Sequence, residues 1–119
     1  MNQNWNYRRG DIYLVDLGTN GGSVQGGCRP VLLLQNDVGN HYGPTLIVAP
    51  ITSRVWKKSE QPTHCRLEKM AGLNENSMVL LEQITTIDKS RVKKYMGTLD
   101  KEQMNRVAAC IGVSLGLLE

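Results

Sequence analysis

Residues 26–52 read GGCRPVLLLQNDVGNHYGPTLIVAPIT, and this stretch decides the fold. Arg29–Gln35 (RPVLLLQ) is apolar without a break over the length of a strand, which predicts a central strand. Pro30 suits the first position of that strand, where a missing N–H costs least. Asn36–Asn40 (NDVGN) is turn chemistry. Thr45–Thr52 (TLIVAPIT) predicts a further strand, ending on the pair Thr52-Ser53. Toward the N-terminus, Asp11–Leu17 (DIYLVDL) alternates, so Tyr13, Val15 and Leu17 share one face of a strand. The ten-residue loop Gly18–Gly27 joins it to the next strand. Eight of the twelve glycines lie between Gly10 and Gly43, which argues against helix in the first third.

Toward the C-terminus, Ser53–Pro62 is polar and basic around Trp56. A short strand at Thr63–Leu67, a loop through Gly72 and a buried strand at Ser77–Ile84 (SMVLLEQI) follow. Asp88–Arg91 reads as a helical turn capped by Asp88, and Lys93–Thr98 as a short strand. The clearest helix comes last. Asp100 is a good N-cap, Gln103 completes a capping box, and Leu99 with Met104 fits a hydrophobic staple. Met104, Val107, Ala108, Ile111, Leu115 and Leu118 share a face at helical period. Gly112 and Gly116 each weaken the helix end by about 1 kcal/mol relative to Ala, unless close packing compensates. The prediction is mainly β with helices (α+β): five or six short strands in a curled antiparallel sheet or partly open barrel, closed by a C-terminal helix.

With 119 residues the chain makes one domain, spanning 1–119. Hydrophobic residues at 40% and charged residues at 21% exclude a disordered chain. Fourteen Lys and Arg against eleven Asp and Glu leave +3, which permits a polyanionic partner without requiring one. Cys28, Cys65 and Cys110 form no CxxC, and only His41 and His64 could join them. Neither a zinc site nor any cofactor is expected, and the thiols read as free ones in a reducing cytoplasm. Residues 1–5 hold no apolar signal core and no run approaches membrane-spanning length, so a cytoplasmic protein that avoids membranes is expected.

GxSxG, HExxH and a nucleotide-binding Gly-Lys-Ser/Thr loop are absent. Arg29 follows Gly26-Gly27-Cys28 and opens an apolar strand. Its guanidinium forks onto phosphate oxygens, although a strand-edge arginine reaching for water is the plainer reading. Thr52 closes another strand with a hydroxyl, and Glu82-Gln83 ends a third. Arg8-Arg9, then Arg54, Lys57 and Lys58 around Trp56, then Arg91, Lys93 and Lys94 with Tyr95, interleave cations with aromatics. That pattern suits single-stranded nucleic acid, through phosphate contacts and base stacking. His64 could move protons near neutral pH.

Five blocks in order, RRGDIYLVDLG, QGGCRPVLLLQND, GNHYGPTLIVAPITS, PTH and LLEQITTIDKSRV, resemble the MazF/PemK family of toxin endoribonucleases, most closely the Gram-positive type. The resemblance leaves only the first seven residues and added length near Glu60 unplaced. It implies an SH3-like barrel of the CcdB/MazF type, a homodimer, cleavage of single-stranded RNA at short motifs, and a MazE-like antitoxin that occupies the RNA groove. By the same resemblance Arg29 and Thr52 are catalytic and Gln83 contacts substrate. Glu82 stands where related toxins place a general base, but the arginine they pair with it is Leu80 here. Arg9, Gln25, Ser53, Arg54, Lys57 and His64 are the further expected RNA contacts. The chemistry needs no metal, because RNA brings its own 2′-hydroxyl nucleophile and leaves a 2′,3′-cyclic or 3′-phosphate and a 5′-hydroxyl. Two rivals use the same fold. A gyrase-binding toxin would end in Trp-Gly-Ile, whereas residues 115–119 read LGLLE. A non-enzymatic RNA-binding module would not need Arg29 and Thr52 together.

Overall fold

The computed structural model describes residues 6–19, 26–53, 64–67, 73 and 76–117. In chain order they form β1 (Asp11–Asp16), β2 (Cys28–Leu33), α1 (Asp37–Tyr42), β3 (Thr45–Thr52), β4 (His64–Leu67), β5 (Ser77–Leu80), β6 (Thr85–Asp88), β7 (Val92–Thr98) and α2 (Lys101–Ser114). Short 3-10 turns occupy Leu81–Gln83 and Lys89–Arg91. The strands make an antiparallel sheet in the order β4-β5-β3-β2-β1-β7, with β6 also on β3.

The unbroken apolar runs have a simple cause: both faces of the central strands are covered. Ile12, Leu32, Ala49, Ile51, Cys65 and Val79 pack on one side with Met104 and Val107 of α2. Tyr13, Val15, Val31, Leu33, Leu46, Val48, Ile87 and Val92 pack on the other, with Leu17 against them. Each fully buried Leu or Ile contributes roughly 1.5–3 kcal/mol, so these two clusters hold the sheet together. Inside the second cluster, buried Asp11 is satisfied by Arg8 N at 3.0 Å, Tyr13 Oη at 2.7 Å and Thr98 Oγ1 at 2.8 Å. Burial, and then the bond to Asp11, pushes the Tyr13 phenol well above its ordinary range.

The helix starts as expected. Asp100 Oδ1 accepts from Gln103 N at 2.8 Å, and Gln103 Oε1 accepts from Asp100 N at 3.0 Å. Asp88 likewise caps its turn, accepting from Ser90 N at 2.9 Å, a bond that holds its carboxyl below the usual range.

Five expectations are corrected. Asn36–Asn40 is not a bare turn but opens α1: Asn36 Oδ1 accepts from Gly39 N at 2.8 Å, so the turn residue becomes a helix cap. The strand expected over Ser77–Ile84 stops at Leu80 and becomes a 3-10 turn. After it β6 appears, making seven strands among the described residues where five or six were expected. Pro30 is not the first residue of its strand, since β2 begins at Cys28. Finally, Ala108 on α2 and Leu115, which caps its C-terminus, are exposed, because α2 buries Met104, Val107 and Gly112 against the sheet. Leu118 lies outside the described residues.

Candidate active site

We call the end of the β2–β3 ladder the fork, and the candidate site begins there. Leu34 N donates to Ile47 O at 2.9 Å, so even residues of β2 and odd residues of β3 turn their peptide groups toward each other. Pro30 has no N–H to offer β3, and the β2–β3 ladder stops one residue before it, at Val31↔Pro50. Past that pair each strand keeps its outer partner. Arg29 pairs with Val15 of β1, and Thr52 pairs with Met78 of β5. Carrying the Val31↔Pro50 register two residues on would set Arg29 opposite Thr52, on the face that bears Val31 and Val48. The two strand ends thus carry a guanidinium on one and a buried hydroxyl on the other, just past their last paired residues.

Arg29 is half-buried and oriented. Its Nε donates to Gly26 O at 2.9 Å. Gly27 N donates to Gly18 O at 2.8 Å and Gly27 O accepts from Leu17 N at 2.9 Å, which closes the neck of the β1–β2 loop beside it.

Glu82 and Gln83 flank the other edge of β3. Even residues of β3 face that edge, and Pro50 has no donor there. The ladder is interrupted between Ile51↔Val79 and Val48↔Thr85, and Leu81–Gln83 bulges out as the 3-10 turn. Leu81 is buried and anchors the turn, and its carbonyl accepts from Ser114 Oγ of α2 at 2.9 Å. Glu82 is exposed and Gln83 half-buried. Leu80 is fully buried, so no cation accompanies Glu82 from that position.

Ser53 is exposed just past Thr52. The backbone of His64 opens β4 and pairs with Leu80. Gln25, Arg54 and Lys57 lie outside the described residues. Arg9 is not brought to this end. Its Nε donates to Leu34 O at 3.1 Å and its N to Asp37 Oδ1 at 2.7 Å, at the opposite end of β2, roughly 16 Å away at strand rise. The N–H of Arg9 holds the Asp37 carboxyl below the usual range.

One residue escaped the sequence reading. Arg66 of β4 pairs with Met78, the same residue that Thr52 pairs with from the other side. Thr52, Met78 and Arg66 therefore form one lateral row on one face, with exposed Arg66 two strands from the hydroxyl. Only the alternation of buried Cys65 and Leu67 around it hinted at this.

Among the described residues, no three His, Cys, Asp or Glu side chains come together as a metal site would need. No described helix is long and apolar enough to cross a membrane.

Solved structures share this architecture. An endoribonuclease from Mycobacterial species, solved in complex with its cognate antitoxin, superposes with a TM-score of 0.79 at 23% identity, over 95% of this chain and 98% of that one. A MazF toxin of Mycobacterium tuberculosis gives a TM-score of 0.77 at 27% identity, over 92% and 99%. The fold is thus that of the MazF toxins. In sequence, the Endoribonuclease MazF of Staphylococcus saprophyticus is 50% identical, over 92% of each chain. The chain belongs to the PemK-like, MazF-like toxins of type II toxin-antitoxin systems, whose pattern matches residues 8–115.

Proposed function

We propose that the chain is the endoribonuclease toxin of a toxin-antitoxin pair, cutting single-stranded RNA at the fork between β2 and β3. The observation that carries this is the position of Arg29 and Thr52 just past the last paired residues of β2 and β3, where the register would set them opposite each other. The relative's name supports the activity, and the neighbour's antitoxin complex supports the partner.

In this reading the scissile phosphate sits between the two strand ends. The Arg29 guanidinium donates to its non-bridging oxygens and the Thr52 hydroxyl orients or donates beside it. The neighbouring 2′-hydroxyl attacks in line, the P–O5′ bond breaks, and the products carry a 2′,3′-cyclic phosphate, or a 3′-phosphate after hydrolysis, and a 5′-hydroxyl. Glu82 or a water takes the 2′-hydroxyl proton, and a water supplies the proton taken up by the departing 5′-oxygen. Gln83, Ser53, Gln25, Arg54, Lys57 and His64 supply further RNA contacts. The protein acts as a homodimer in the cytoplasm, and a MazE-like antitoxin silences it by filling the RNA path.

The test is a short RNA containing a mapped cut site, made with and without a single 2′-deoxy sugar 5′ to the scissile phosphate, in EDTA. Cutting of the all-ribose strand beside full recovery of the deoxy strand is expected. Cutting of the deoxy strand, or loss of all cutting in EDTA, overturns the proposal.

A further inference from the structure

An arginine can grip a phosphate in two ways, side-on through Nε and one Nη or end-on through both Nη groups. Arg29 is committed before any substrate arrives, because its Nε–H already donates to Gly26 O at 2.9 Å. Only the end-on fork remains.

That commitment depends on the backbone at the loop neck. Gly18 and Gly27 sit at φ +78 and +73, in the left-handed region that L side chains rarely adopt. Their backbones bond across the neck, Gly27 N to Gly18 O at 2.8 Å, and Asp16 Oδ1 fixes the near side by accepting from Gly18 N at 2.8 Å. A Cβ added at Gly27 would meet nothing within 4 Å. Space is therefore free at Gly27, and what the position demands is its backbone angle.

We infer that Gly27 is a positioning residue for cleavage: its left-handed backbone aims the Gly26 carbonyl at Arg29 Nε and so presents both Nη groups end-on to the scissile phosphate. This rests on the assignment of Arg29 made above. An L-residue at 27 prefers negative φ, which turns the Gly26–Gly27 peptide and releases Nε. Reacting groups held in the wrong pose lose rate more than affinity.

The neck offers its own test, because Cys28 follows Gly27 and allows the full chain to be assembled by ligation at that cysteine. Gly27→Ala is compared with the same substitution as D-alanine, which favours positive φ. Single-turnover cleavage and RNA affinity are measured on the mapped RNA, each also in an Arg29→Lys background, where no planar Nε–H exists to be held. Expected are a loss of about tenfold in the single-turnover rate for L-alanine with affinity within about twofold, near wild-type rates for D-alanine, and less than a twofold effect of Gly27→Ala beside lysine. Equal rates for the two alanines overturn the inference. So does an undiminished Gly27→Ala loss in the lysine background, which would mark Gly27 as a folding residue. Should L-alanine prevent folding, Gly27→Asn, which tolerates the left-handed region, is read in its place with the same expectations as D-alanine, and a tenfold loss from it overturns the inference. Wild-type cleavage by Arg29→Lys alone would instead fail the assignment of Arg29 itself.

Discussion

A charge at a strand end does useful work only if it is held in place. Arg29 is held by Gly26 O, and Thr52 is fixed in a buried pair with Met78. Arg29→Ala should lower cleavage by about 10²–10³-fold, the usual cost of one donor to a charged transition state, with the fold intact. Thr52→Ser should keep more activity than Thr52→Ala. Equal losses would show that the methyl group, and hence packing, is what matters there. A second residue-scale prediction concerns the thiols. Burial, and then neighbouring Cys110, pushes Cys65 up to about 12 from 9.0. Buried Cys65 therefore stays protonated in the folded chain where a free thiol ionises, so iodoacetamide should label exposed Cys28 and spare Cys65. The unfolded chain ionises near 9, so Cys65 lends its full stability below that pH. That stability falls as pH rises toward 12, by at most about 1.4 kcal/mol per unit. Labelling of Cys65 at the Cys28 rate under native conditions would show that the core is open.

At the scale of elements, α2 has two jobs that mutation can separate. Its N-terminus is stabilised by the Asp100–Gln103 box, and its far end tethers the Glu82–Gln83 turn through Ser114 Oγ to Leu81 O. Asp100→Ala should cost about 1 kcal/mol and lower Tm by about 4 °C without changing cleavage at 25 °C. Ser114→Ala should cost a similar amount but also slow cleavage, because the turn carrying Gln83 loses its anchor. If both variants cleave alike, that turn does not serve the site. These elements also show what could be read in advance. The strands at Asp11, Arg29 and Thr45 were legible because apolar periodicity is local, and the capping box was legible because it spans four residues. The break after Leu80 was not legible. Its cause is Pro50, a residue on another strand whose missing N–H faces that edge, and SMVLLEQI alone carries no sign of it. β6 was passed over because TTID buries only Ile87. Arg29 and Thr52 were singled out through their motifs, but their standing opposite each other, and the place of Arg66, rest on strand registers that no single segment encodes.

For the whole molecule the question is where a single strand of RNA runs. The net charge of +3 is small, so attraction must come from where the cations lie. The row Thr52–Met78–Arg66 extends away from the fork across β5 to β4, whereas Arg9 sits at the other end of β2, bonded to Leu34 O. A strand whose scissile phosphate lies at the fork can therefore reach Arg66 with a neighbouring phosphate, and cannot reach Arg9 without turning back along β2. Each phosphate contact adds about 0.7 to the slope of log affinity against log salt for a single strand. Arg66→Ala should lower that slope by about 0.7 and weaken binding to all sequences alike. Arg9→Ala should leave the slope unchanged and lower stability instead, since it gives up a bond that joins the start of β1 to the end of β2. Titrating a mapped RNA, cut-blocked by a 2′-deoxy sugar, between 50 and 200 mM salt measures both. A slope that drops for Arg9→Ala and holds for Arg66→Ala would place the RNA along β2, in the opposite direction from the fork.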